Sequence, residues 1–321
     1  MPSCSPLPAA PAAPVAARHA IEIRGLRKTY GPVTAIDDLD LLVAPGEVYA
    51  FLGPNGAGKT TTVEILEGFR VADAGHIRVL GVDPATARTA WRDRIGLVLQ
   101  ESAPDPGLTV VETLQLHAGY HAHPRDPEQT LALVGLHDVA GRLATQLSGG
   151  QRRRLDLALA VIGDPELLFL DEPTTGFDPA ARRAAWAVID GLRDTGTTVF
   201  LTTHDMDEAE RLADRIGVIR DGRLVAEGTP DSLGGRDGAD ATITFTLPDG
   251  VDAADLPPSV IGTVAPHGRV TVASAESVET VEQLAAWARE RGVCIGDLEV
   301  RRRSLEQIYL DLTGGTDRSA A

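Results

Sequence analysis

The chain has 321 residues, 43% of them hydrophobic and 24% charged, a formal net charge of −16 and a pI of about 4.9. That composition suffices to bury one large α/β domain and a small second one, and its acidity argues against non-specific nucleic-acid binding or docking on anionic lipid. No run approaches the roughly 18 consecutive apolar residues of a spanning helix, so the chain forms no transport path by itself.

The start, residues 1–19, is rich in proline and alanine and lacks a basic leader followed by an unbroken apolar run. It reads as a disordered tail rather than a secretory signal. The two cysteines, Cys4 and Cys294, support neither a disulfide framework nor a four-ligand metal site, and a cytoplasmic chain is expected. Residues 20–24 have a short strand pattern, Tyr30-Gly31-Pro32 marks a turn, and 47–52 (EVYAFL) reads as a buried strand ended by glycines. Helical spacing is expected from Lys59 to about Gly68. Residues 100–163 look mostly helical, with breakers at Pro104, Pro106, Pro124 and Pro127, and suggest a helical subdomain inserted into a sheet domain. Two further buried strands are expected at 167–170 and 198–202. Parallel strands separated by helical crossovers imply an α/β sheet covered on both faces. A turn-rich boundary at 228–238 ends a first domain spanning 20–230. Beyond it ATITFTL and RVTVAS alternate like strands, 278–291 looks helical and 294–300 like another strand. These predict a small α+β appendage over 238–315.

Gly53-Pro54-Asn55-Gly56-Ala57-Gly58-Lys59-Thr60 matches G-x-x-x-x-G-K-[ST] between an expected strand and an expected helix. Glycines belong there because backbone N–H groups must converge on phosphate oxygens in conformations that a Cβ would obstruct. The opening helix adds roughly half a positive charge at its N-terminus. Lys59 is expected to reach the β/γ-phosphates of a nucleotide, the Thr60 hydroxyl to ligate Mg²⁺, and Thr61 to complete the binding loop.

The apolar run Leu167-Leu168-Phe169-Leu170 delivers Asp171 and Glu172 at its C-terminal end. Asp171 can hold the metal, and Glu172 can orient or deprotonate an attacking water. Alone, a strand ending in Asp-Glu is as readily a solvated strand end; paired with the glycine-lysine loop it points to a Mg·NTP hydrolase site. Earlier in the chain, Ser148, Gly149 and Gly150 open an expected helix. They offer N–H groups and a hydroxyl to phosphate, or simply an N-cap.

With Leu147-Ser148-Gly149-Gly150-Gln151 the chain resembles the ATP-binding cassette (ABC) family, whose signature loop this is, over residues 21–228. The resemblance implies a P-loop NTPase cassette with an inserted helical subdomain, ATP and Mg²⁺ as cofactors, and ATP hydrolysis. It matches Tyr30 to the aromatic that stacks on adenine, Gln100 to the Q-loop glutamine that senses the γ-phosphate or metal, Asp178 to the D-loop aspartate and His204 to the switch histidine. It places Ser148, Gly149, Gly150 and Gln151 against the nucleotide of a second cassette, so two copies stand head to tail. It also implies an integral membrane permease as a separate partner chain, docked in a groove after Gln100, with the cassette held at the cytoplasmic face of the cell membrane and no nucleic-acid partner.

QESAPDPGLTVVETL, LSGGQRRRLDLALA and RRRSLEQIYLDLTGG look like ABC-2-type exporter subunits, among them the daunorubicin-resistance and nodulation-export ATPases. Export of a drug or antibiotic is the expectation this suggests. A soluble ABC protein of translation or repair is the rival, but such proteins carry two cassettes or long heptad insertions, and neither is present. A non-hydrolysing nucleotide binder is disfavoured by Glu172 and His204. His117, His121 and His123 have partly helical spacing, but no carboxylate or cysteine completes a site, so metal binding is not expected. Arg152–Arg154 and Arg301–Arg303 read as solvated or salt-bridged faces.

Overall fold

A computed structural model of the chain describes residues 19–98, 106–233, 241–248, 250–251, 253–260, 262–265, 268–301 and 305–313. Residues 1–18 of the expected tail, Gln100, Pro104, residues 234–238 of the expected boundary and Arg302–Arg303 lie outside the described residues. Two compact units share the chain. The first holds described residues within Met1–Tyr49, Asn55–Thr202 and Asp221–Arg223, the second those within Ala50–Pro54, Thr203–Arg220 and Leu224–Ala321.

In the first unit, β1 (Ile21–Tyr30), β2 (Val33–Val43) and β4 (Ala74–Val79) form an antiparallel sheet in the order β2-β1-β4. β1 runs six residues past the expected end at Arg24. The reason is a bulge: register passes from Ile23↔Leu41 to Leu26↔Leu39, with Gly25 at φ 60° and its N–H on Asp40 at 2.7 Å. The extra residue restores the inward set Ile21, Ile23, Leu26, all buried. Gly75 permits the close crossing of β4 over this bulge, since a Cβ there would lie 2.7 Å from the Gly25 carbonyl oxygen and its φ is +109°.

Between β2 and β4 come β3 (Val48–Leu52), buried at every position, and α1 (Lys59–Leu66), which ends two residues before Gly68. After α2 (Thr89–Arg92) a parallel set begins with β5 (Ile95–Val98). The chain continues through α3 (Val110–Ala118), α4 (Pro127–Leu133) and α5 (Gly149–Val161) to β6 (Leu167–Asp171), then α6 (Pro179–Asp194) and β7 (Thr198–Thr203). Each of these helices has a chemical start: Thr109 and Glu112 form a capping box on α3, Asp126 with Pro127 opens α4, Ser148 and Gln151 form a capping box on α5, and Asp178 with Pro179 opens α6. Pro127 thus begins a helix rather than breaking one.

β5, β6 and β7 are parallel neighbours, with Ile95↔Leu167 and Asp171↔Thr202 in register. β3 enters beside β7, where the Val199 N–H donates to the Glu47 carbonyl at 2.9 Å. Tyr49 stacks on Phe200 at 5.7 Å, and Phe169 meets Phe200 edge-on at 5.9 Å. Burying each such ring contributes about 1.5–3 kcal/mol. Gly96 sets the seat of α5, because a Cβ at that position would run into the Ala160 carbonyl oxygen.

In the second unit, α7 (Met206–Leu212), β8 (Arg215–Arg220) and β9 (Arg223–Gly228) precede a four-stranded antiparallel sheet. That sheet contains β10 (Ala241–Thr246), β11 (Thr263–Ala265), β12 (Arg269–Ser274), and, after α8 (Ser277–Arg291), β13 (Gly296–Arg301), in the order β11-β12-β10-β13. α9 (Leu305–Thr313) ends the described chain. Ile243, Phe245, Val270 and Val272 alternate onto one face and meet Leu284, Trp287 and Ala288 of α8. Trp287 Nε1 donates to the Asp255 carbonyl at 2.8 Å. The expected strand at 294–300 starts later, at Gly296, because Val293 and the preceding turn still cap α8: Gly292 is left-handed and the Val293 N–H bonds the Ala288 carbonyl.

Candidate functional site

The loop between β3 and α1 is shaped for an anion. Gly56 and Gly58 have φ of +80° and +106°, conformations that favour glycine and turn successive amides one way. The Ala57 carbonyl is tied down by the Gly222 N–H at 3.1 Å. No side chain caps α1 and its first turn carries no acidic residue, so the positive helix end is left for a ligand. Thr60 is exposed at that end and Lys59 is buried. The residues fit a phosphate chain.

Lys59 Nζ lies 3.9 Å from Glu172 Oε1. Burial pushes the Lys59 ammonium down from its ordinary value, while the charges of Glu172 and Asp171 hold it up. The structure therefore gathers Lys59, Asp171 and Glu172, three residues from two separate motifs, around one point.

Two features of this cluster are invisible in the motifs. Thr202 on β7 uses its hydroxyl fully, donating to Asp171 Oδ1 and accepting from the Glu172 N–H at 3.2 Å. The same N–H reaches the Thr202 carbonyl at 3.1 Å. Glu172 itself sits at φ +49°, a left-handed conformation that costs a non-glycine residue about 1–2 kcal/mol. The strain turns its side chain off the strand line, and Thr175 Oγ1 donates to its Oε2 at 3.2 Å. The register Asp171↔Thr202 is the signal that would have found Thr202, once β6 and β7 are paired.

Glu67, at the C-terminal end of α1, is buried, and its carboxyl is pushed up to about 8, by burial first and then by the negative charges of Asp171 and Glu64. It is neutral at pH 7. Sequence reading singled out nothing at this position.

The remaining expected residues are distributed as follows. Tyr30 ends β1 half exposed, with Lys28 Nζ 5.5 Å and the Arg70 guanidinium 5.4 Å from its ring centre. Ser148 accepts from the Gln151 N–H at 3.3 Å and Gln151 Oε1 accepts from the Ser148 N–H at 3.0 Å. The cap engages the hydroxyl of Ser148 as an acceptor, so its proton can still be donated. Gly149 and Gly150 are the first residues of α5. Asp178 is exposed and accepts from the N–H groups of Ala180 and Ala181, both at 2.8 Å. His204 is exposed just beyond β7, in the second unit. Gln100 lies outside the described residues.

One expectation needs correction. Of the two alternatives for the basic run, Arg153 keeps the salt-bridged one, with Nη1 3.9 Å from Asp156 Oδ2, but neither Arg153 nor Arg154 is a solvated face: Arg154 donates to the carbonyls of Val134 and Gly135, and Arg153 to those of Asp171 and Pro173. His121 lies 3.4 Å from Asp93, reached through the fold, and among the described residues no group of three ligating side chains gathers there.

Comparison with known proteins agrees with this geometry. The family profile described as "ABC transporter" matches residues 36–175, and one described as "ABC transporter domain-containing protein-like, C-terminal domain" matches residues 241–304. The chain is 40% identical to the daunorubicin resistance ATP-binding protein DrrA3 of Streptomyces coeruleorubidus over 308 residues, covering 93% of this chain and 97% of that one. It is 46% identical over 222 residues to the Nod factor export ATP-binding protein I of Paraburkholderia xenovorans, covering 67% and 72%. Among solved structures it resembles cbiO1 of Clostridium perfringens, described as part of the ABC transporter complex cbiONQ, with a TM-score of 0.60 and 25% identity over 67% of this chain and 90% of that one.

Proposed function

The chain belongs to the ATP-binding subunits of ABC transporters and is an ATPase, and from that premise we propose that it powers export of a drug, antibiotic or comparable amphiphile through a separate membrane permease. The observation that carries the catalytic part of this reading is the convergence of Lys59, Asp171 and Glu172 beside an uncapped, glycine-lined helix start. The cargo class is carried over by analogy from the DrrA3 relative, a daunorubicin resistance protein. Among the described residues no helix is long and apolar enough to cross a membrane, and in this reading the separate permease supplies the route for cargo.

In this reading the backbone N–H groups of the Gly53–Thr61 loop, Pro54 having none, and the Lys59 ammonium hold the phosphates, with Tyr30 stacked on adenine. Magnesium would be held by Thr60, Asp171 and Gln100 and would supply neutralisation of phosphate charge. Glu172 takes or orients the proton of the attacking water, and its strained backbone fixes the direction from which it does so. Charge-assisted donation from Lys59 to the β/γ-phosphates, and a hydrogen bond from His204 to the γ-phosphate, steady the phosphoryl group as it passes to water and ADP leaves. Ser148, Gly149 and Gly150 bind the γ-phosphate held by a second copy, with Gln151 and Asp178 bracing the helices that face it. Two nucleotides then join the dimer, and hydrolysis releases it.

The test is resistance to an exported drug in cells that carry the chain with its permease. Wild type is expected to restore export, and Glu172→Gln to abolish it while leaving ATP binding intact. Full export by the Glu172→Gln chain would defeat the reading.

A further inference from the structure

One largely buried arginine lies outside every motif. Arg153 lies on the second turn of α5, five residues after the capping Ser148. Its side chain is only 15% exposed, which is unusual for an arginine in so acidic a chain. Inside, Nη2 donates to the Asp171 carbonyl at 3.3 Å and Nε to the Pro173 carbonyl at 3.4 Å. Those are the carbonyls of the residues on either side of Glu172. Nη1 lies 3.9 Å from Asp156 Oδ2, one turn further along the same helix. Burial draws the guanidinium down from its ordinary value, and the charges of Asp156 and Asp171 oppose that shift.

Each of these hydrogen bonds is long, but they come from one rigid, planar donor fork, and such forks fix orientation more tightly than a single donor does. The segment they span contains the left-handed Glu172. Such a conformation persists only when surrounding contacts over-determine it. Two contacts to the Glu172 N–H come from β7; the two flanking carbonyls are gripped from α5. The carboxylate is therefore aimed jointly by a neighbouring strand and by the helix that begins with the signature serine.

We propose that Arg153 is a positioning residue that links the signature loop of a subunit to that subunit's own Glu172, and so couples the two ATP sites of the dimer. The inference rests on the functional reading above, in which Ser148 faces the nucleotide of the second copy while Glu172 serves the first. A nucleotide arriving at the partner's site pulls on the start of α5. The helix moves as a rod, Arg153 moves with it, and the backbone on both sides of Glu172 follows. Hydrolysis in one site is thereby made conditional on occupancy of the other.

Arg153→Lys tests this, because lysine keeps the charge but cannot span two carbonyls with a fixed fork. The full chain with its permease is assayed for kcat, ATP KM, Hill coefficient and Tm. The expected result is a kcat lowered about tenfold with KM nearly unchanged, as for a misaimed catalytic group. The Hill coefficient is expected to fall from near 2 towards about 1. A merely structural arginine would lower Tm and leave the Hill coefficient where it was, and that result would overturn the proposal. So would a wild-type chain with no cooperativity. Should Arg153→Lys fail to fold, Asp156→Asn loosens the fork while retaining it, and a smaller fall in both kcat and Hill coefficient is expected; an unchanged Hill coefficient there is equally fatal. Glu172→Gln is assayed alongside: if it hydrolyses ATP at the wild-type rate, the role of Glu172 fails, a result separable from any outcome at Arg153.

Discussion

The strand ends around Lys59 and the four-stranded sheet that closes the chain follow opposite rules. In the sheet, alternating Ile243, Phe245, Val270 and Val272 pack on α8 among other apolar side chains, and pattern and structure agree. Around Lys59 a cation is buried, a glutamate is held in a left-handed conformation, and a carboxyl beside Asp171 is kept neutral. A region that breaks local rules in three ways at once is held there by its surroundings, and such places are where chemistry is done. The sheet shows what the same chain does when only folding is required.

The comparison can be broken at either region. The largest effect is expected at the sheet. Trp287→Ala removes its ring from the core and its bond to the Asp255 carbonyl, and should cost about 3–5 kcal/mol of that region's stability. Proteolysis is expected to attack the C-terminal part while ATP affinity stays within about twofold, a change under 0.5 kcal/mol. An ATP affinity that collapsed in step would merge the two regions into one.

Lys59→Ala acts in the reverse sense. Losing a charge-assisted contact to phosphate should weaken ATP binding by about 1.5–3 kcal/mol, read by nucleotide titration, with proteolysis of the C-terminal part unchanged. The smallest effect sharpens the electrostatic side. The Glu67 carboxyl titrates at about 8 in the folded chain against an ordinary 4.5. Its contribution is fully present below 4.5 and is lost as pH rises towards 8. Glu67→Gln should therefore leave Tm unchanged at acid pH and raise it at pH 8 and above. Parallel Tm profiles for variant and wild type would refute the buried, neutral carboxyl.

Much of this was legible from residues alone, and the exceptions have physical causes. β3, β6 and β7 announce themselves because parallel strands buried on both faces are continuous apolar runs. β10 and β12 do so by alternation. β2 and β4 were missed: β2 follows β1 in a hairpin across residues 31–32 but its apolar set is interrupted by Asp37, Asp38 and Asp40, while β4 pairs with the distant β1 and carries His76 and Arg78, so neither shows a clean alternation. β8 and β9 went unread too. The cradle and the Asp-Glu pair are contiguous strings, so their residue types suffice to find them. Thr202 and Arg153 enter the site through strand register and helix placement, and no local spacing encodes either.

The account stands most directly on ATP-dependent association. A Glu172→Gln chain of 33.8 kDa, weighed by light scattering during gel filtration with its membrane partner supplied, should be monomeric as free cassette without nucleotide. It should shift to a cassette dimer with Mg·ATP, and a Ser148→Arg change in the same chain should abolish the shift. A Glu172→Gln chain that binds ATP and never pairs would contradict it.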